Sequence, residues 1–191
     1  MPNIDVFFDT EFTTMDEKNG VQTLISIGCV AQDGRVFYAE LSDTWHPANC
    51  SAFVIANVLP LLEGGEYRMD EATLAIRLKA WLENLHTASV ATGSVAASDA
   101  PDSLNEQQVI LRSDAPPYDW KWIARLFADY GWPANLRKKC GTIYFNHESQ
   151  HRRYQQALGA YWKEHAARQH HALVDARSLA AAFKFALRRG I

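Results

Sequence analysis

Near the N-terminus two acids stand two residues apart in an apolar run, Phe7-Phe8-Asp9-Thr10-Glu11-Phe12. Read as a strand, the run puts Asp9 and Glu11 on one face, with Cα atoms about 6–7 Å apart at a rise of about 3.3 Å per residue. Two carboxylates so placed can share a cation. Buried and alone they would be protonated, so they need a cation, a basic partner or exposure at the strand end. A single Asp-x-Glu is also what an exposed strand end looks like. A hard divalent ion takes oxygen ligands, and the metal reading needs further acids to converge on the first two.

Two other places offer them. In Gln169-His170-His171-Ala172-Leu173-Val174-Asp175-Ala176-Arg177, two histidines precede an acid at the start of an apolar helix. On an ideal helix His171 and Asp175 share a face, while His170 is turned away by about 140°. The residues alone also allow Asp175 as a first-turn acid favoured by the helix dipole, and either histidine as an ordinary loop residue. In Tyr118-Asp119-Trp120-Lys121-Trp122, Asp119 follows a short strand and the Pro116-Pro117 pair, where Asp also serves as a helix N-cap. Asp114, on the strand side of the prolines, is the rival position.

Phe8-Asp9-Thr10-Glu11 and His170-to-Asp175 together resemble the first and last motifs of the DEDDh exonucleases. That superfamily includes proofreading exonuclease subunits, RNase T and oligoribonuclease, and its closing pattern is a His five residues before an Asp. The resemblance implies a 3′-to-5′ exonuclease that releases nucleoside 5′-monophosphates from the 3′ ends of single-stranded RNA or DNA. It gives the general-base place to His170, which must then sit on non-helical backbone before the helix. Asp9, Glu11, Asp119 and Asp175 become ligands of two Mg²⁺ or Mn²⁺ ions about 3.5–4 Å apart. Asp9 bridges the pair, Glu11 and Asp175 complete one site, and Asp119 supports the other. The family's middle motif begins with an Asn or His ahead of its Asp, and here Arg112, Ser113 and Pro117 stand in that stretch. RNA is favoured over DNA because the compact chain resembles small stand-alone bacterial exoribonucleases. It ends at Gly190-Ile191, without the added segment by which proofreading subunits bind a polymerase. Analogy with such enzymes also suggests a homodimer. An endonuclease on the same fold would keep the acids without needing His170. A catalytically inactive nucleic-acid- or protein-binding module would be expected to have lost one of the five residues.

Positioning these groups falls to a definite set of elements. Apolar runs over 4–12, 24–31 and 35–41, the last two joined by Gln32-Asp33-Gly34, predict a three-stranded antiparallel meander. Helices are expected over 51–62, with Ser51 as N-cap, and over 71–85, where Leu74, Leu78, Trp81, Leu82 and Leu85 form a stripe. A strand over 107–112, a helix over 119–130 ending at Gly131, a strand over 142–145 and a last helix over 172–189 follow. The order predicts an α/β, RNase H-like mixed sheet, three antiparallel strands and then two parallel, flanked by helices in one domain over 1–191. The Ala/Ser/Thr/Gly/Asp stretch over 87–105 reads as a flexible loop.

Bulk properties set limits on this reading. A formal charge of −3 provides no global basic field. Phosphate contacts would have to come from Arg137-Lys138-Lys139, Arg152-Arg153 or Arg188-Arg189, with the terminal base stacked on Phe12 or a tryptophan. Three widely spaced cysteines without a CxxC pair argue against a disulfide framework and a thiolate zinc site, and fit a reducing cytoplasm. No basic, apolar leader and no membrane-length apolar stretch is present, so no membrane partner is expected.

Overall fold

The acid-bearing run becomes β1 (Ile4–Phe12), the strand on which the rest of the molecule is hung. A computed structural model describes residues 3–16, 18, 20–85 and 108–188, so the loop expected over 87–105 lies outside the described residues. On one side β1 pairs antiparallel with β2 (Leu24–Ala31), which pairs antiparallel with β3 (Val36–Leu41). Gly34, at φ 96°, makes the turn between β2 and β3. The two-residue β4 (Arg68–Met69) adds in parallel outside β3 and had no signal in the sequence. On its other side β1 pairs in parallel with β5 (Val109–Ser113), which in turn carries β6 (Gly141–Thr142) in parallel. The sheet order is β4-β3-β2-β1-β5-β6, the expected meander and parallel pair plus one short edge strand.

Helices cover both faces. Val6, Phe8 and Leu111 meet Leu74, Leu78 and Leu82 of α2 (Glu71–Asn84) and Ile123 and Phe127 of α3 (Pro116–Tyr130) in a core where each is fully buried; α1 is the short helix Ala52–Asn57. On the opposite face Phe7 packs 5.0 Å from Phe183 of α5 (Ala172–Leu187), against which α4 (Glu148–His165) is laid. Even positions of β1 thus face α2 and α3, and odd positions, Asp9 and Glu11 among them, face α5.

The strand expected over 107–112 runs over Val109–Ser113 and the last helix ends at Leu187 rather than 189; three further differences have a direct physical cause. The helix expected over 51–62 stops at Asn57, because Pro60 cannot donate a helical hydrogen bond, and continues as a 3-10 turn over Leu59–Leu61. Its start is as expected, with the Ser51 side chain accepting from the Val54 N–H. α3 starts at Pro116 rather than 119, because prolines fit the first helical positions where no N–H is needed. β6 is shorter than 142–145, because Ile143 and Phe145 leave the edge to pack on Tyr154, Ala182 and Ala186.

Candidate active site

A glycine decides how close α5 can come to the acids of β1. Gly28 of β2 lies opposite Asp9, and a Cβ added there would fall 2.3 Å from the Leu173 nitrogen and 2.4 Å from the Ala172 carbonyl carbon. The first turn of α5 therefore rests directly on sheet backbone, which brings Asp175 beside Asp9 and Glu11. One oxygen or nitrogen from each of Glu11, His170 and Asp175 lies within 4.8 Å of the others.

His170 does sit on non-helical backbone. It precedes the N-cap residue His171, and among described residues it is the one non-glycine with positive φ, at 72°. Its N–H donates to Asp175 Oδ2 at 3.1 Å, and its ring meets the edge of Phe53 at 4.9 Å between centroids. His171 points elsewhere: it is buried, stacked on Tyr38 of β3 at 4.5 Å.

The middle acid arrives from the other face. Asp119, buried in the first turn of α3, accepts from the Thr10 hydroxyl at 2.6 Å and, through its other oxygen, from the Ser113 hydroxyl. It is not a helix N-cap, since α3 begins three residues earlier and its cap position, Ala115, makes no side-chain bond. Asp114, the rival in the sequence, joins the group rather than replacing Asp119: Asp9, Asp114 and Asp119 also place one oxygen each within 4.8 Å of the others. Asp114 is exposed where Asp119 is buried.

Such a cluster is electrostatically incomplete. Burial, and then the charges of Asp119, Glu11, Asp175 and Asp114, push the Asp9 carboxyl well above the ordinary range. Glu11 is pushed up to about 9 by burial and then by Asp175 and Asp119. Burial raises Asp175 to about 7, against the His170 N–H, and Asp119 to about 6, against the Ser113 and Thr10 hydroxyls. Asp175 Oδ1 is buried without a hydrogen-bond partner. A set of carboxylates whose charges repel one another, with one buried acceptor unpartnered, fits a divalent cation. The His170 imidazole is held below its usual value by burial.

The cluster lines a cleft of about 660 Å³. Phe12 and Trp162 border it, as do Phe53 and Tyr118, which are about half exposed. Phe12 was singled out from the sequence; Phe53, Tyr118 and Trp162 were not. Phe53 stands beside the buried Val54 on α1, and adjacent helical residues are turned about 100° apart, so one of the pair faces outward. None of the three basic clusters lines the cleft among the described residues: Lys138 lies over Trp132, and Arg153 donates to the Arg188 carbonyl.

No protein-family model matches the chain, and a search of curated proteins gives no match. Solved structures do. The zinc-bound complex of Escherichia coli exonuclease I with single-stranded DNA is similar with a TM-score of 0.52 at 12% identity, over 97% of this chain and 40% of that one. The chain has the RNase H-like fold. An exonuclease I structure bearing on processivity gives 0.50 at 11% identity over 94% of this chain and 39% of its own. A product-bound exonuclease I gives 0.50 at 11% over 97% and 43%. This chain thus spans about two-fifths of the length of those proteins. Among the described residues no helix is long and apolar enough to cross a membrane.

Proposed function

We propose that this protein is a divalent-metal-dependent 3′-to-5′ exonuclease acting on single-stranded nucleic acid. One observation carries the reading: four acids from three separate elements and a histidine on left-handed backbone converge on one cleft. Asp9, Glu11, Asp119 and Asp175 would hold the cations, with Asp114 as an additional oxygen donor on the Asp9–Asp119 side. Bound there, the cations would activate water and offset the charge that builds on the scissile phosphate.

The chain's own groups supply the remainder. His170, whose burial lowers its pKa and so favours the neutral imidazole, accepts the proton of the attacking water. The water oxygen bonds to phosphorus, the P–O3′ bond breaks, the departing 3′-oxygen takes a proton from solvent water, and His170 returns its own proton to solvent. Phe53 fixes one edge of the His170 ring. Thr10 and Ser113 hold Asp119 in one rotamer by occupying both of its oxygens. Phe12, Phe53, Tyr118 and Trp162 offer flat faces to an unpaired base, which suits a strand without a partner.

RNA is the polymer that the sequence resemblance favours, and single-stranded DNA is the one bound by the similar exonuclease I. Both should be offered, labelled at the 5′ end, with Mg²⁺, Mn²⁺ or EDTA. A metal-dependent ladder that shortens from the 3′ end, abolished in Asp9→Ala and His170→Ala and weakened without being abolished in His171→Ala, is the expected result. The faster polymer names the substrate. No degradation of either polymer under any metal would sink the exonuclease reading and leave a nucleic-acid-binding module in its place.

A further inference from the structure

His171 has no place in the chemistry above, yet it is only 2% exposed. Its ring lies nearly parallel to Tyr38, at an interplanar angle of 23°, and its Nε2 is 3.2 Å from Glu63 Oε1. Arg168, on the other side of His170, reaches the same carboxylate oxygen at 2.6 Å. Glu63 is itself held in place. The N–H groups of Glu63 and Gly64 donate to the buried Glu40 carboxylate at 2.6 and 3.0 Å, and the Tyr38 hydroxyl donates to Glu40 at 2.9 Å. Arg168, ion-paired with Glu63, and His171, whose Nε2 lies in close contact with it, thus bracket Gln169 and His170 and meet at one acid, on a loop anchored to β3.

His170 needs such a tie. At φ 72° it occupies the left-handed region, which a residue with a Cβ enters at a cost and keeps only where its surroundings impose it. Its own N–H is bonded to Asp175, and the His171 N–H closes a turn onto the Arg168 carbonyl at 3.3 Å, so the two ends of the turn that carries His170 are the two residues that meet Glu63.

We infer that Glu63, acting through His171 and Arg168, is a positioning clamp that holds His170 in the left-handed conformation and so aims its imidazole at the acidic cluster. The inference rests on the proposed general-base role of His170, although the clamp itself can be examined without activity. None of Glu63, Arg168 and His171 touches the reacting atoms.

The variants are Glu63→Ala, a change at a partly exposed side chain, and His171→Phe, which keeps the stack on Tyr38 and deletes Nε2. Loss of a group that orients a reacting residue costs about 10- to 100-fold. In both variants we expect kcat to fall within that range with KM and Mn²⁺ affinity by calorimetry little changed. In the His170→Ala background the same substitutions should have no further effect, because a clamp acts only through what it holds. Independently of turnover, the backbone ¹³Cα and imidazole resonances of His170 should move in both variants. His170 resonances that stay in place, or an equal loss of kcat in the His170→Ala background, would overturn the clamp. Absence of all nuclease activity alongside shifted His170 resonances would overturn the proposed function and leave the clamp standing.

Discussion

The two faces of the sheet share their strands and differ in what they tolerate. Behind β1, toward α2 and α3, Val6, Phe8, Leu78 and Ile123 are fully enclosed by other apolar groups. In front, toward α5, the same strand places Asp9 and Glu11 where burial, and then other acids, raise their pKa values. The first face lowers the free energy of the fold; the second is maintained against its own electrostatics, as expected where charges are kept for a ligand. A substitution should therefore act mainly on stability on one side and mainly on turnover on the other.

The largest separation is expected from His170→Ala. Activity should drop by about 10²- to 10⁴-fold, the usual worth of a general base, while the melting temperature stays near that of the parent. Gly28→Ala comes next. Its new methyl group must push α5 off β2, so kcat/KM should fall by about 100-fold with a stability loss of about 1–3 kcal/mol in denaturant titration. An unaltered kcat/KM would mean that the seat of α5 does not set the site. Phe8→Ala should invert the pattern, costing about 3–5 kcal/mol of stability while kcat at a temperature where the variant is folded changes little.

Smaller effects sharpen the contrast. Glu11, Asp175 and Asp119 are pushed up to about 9, 7 and 6, so they bind protons more tightly folded than unfolded. Their contribution to stability is complete below the ordinary carboxylate range and is lost as pH rises through those values. In EDTA the melting temperature should thus decline between about pH 5 and 9, and Mn²⁺ should restore it most at the alkaline end. Glu11→Gln should raise the melting temperature of the metal-free chain at the alkaline end and have little effect at the acid end. The smallest expected signal is the acid limb of kcat/KM. With the His170 imidazole held below its usual value of 6.5, activity should persist to lower pH than an ordinary histidine would allow.

Much of this was legible in the sequence because it is local. Alternation fixed the shared face of Asp9 and Glu11, and the resemblance to the exonuclease closing motif implied a non-helical His170, which the φ of 72° meets. Ideal helix geometry would have chosen His171, and it fails because the helix begins one residue too late to contain either histidine. What escaped the sequence is nonlocal. That Asp114 joins Asp9 and Asp119 depends on the path of β5 into α3, and Glu63 meets His171 across more than a hundred residues. The middle motif was hard to place because its surroundings depart from the family pattern, although Ser113 turned out to hold the acid concerned.

The tripeptide Asp9-Thr10-Glu11 sends its two acids forward to α5 and its hydroxyl backward to Asp119 on α3. A β1 paired one residue out of register would turn every one of these groups around, burying two carboxylates among the leucines of α2 and presenting Phe8 to the cleft. Faulty pairing would forfeit the core together with the site. Chains that fold wrongly at β1 should consequently appear as unfolded protein rather than accumulate as folded, inactive molecules.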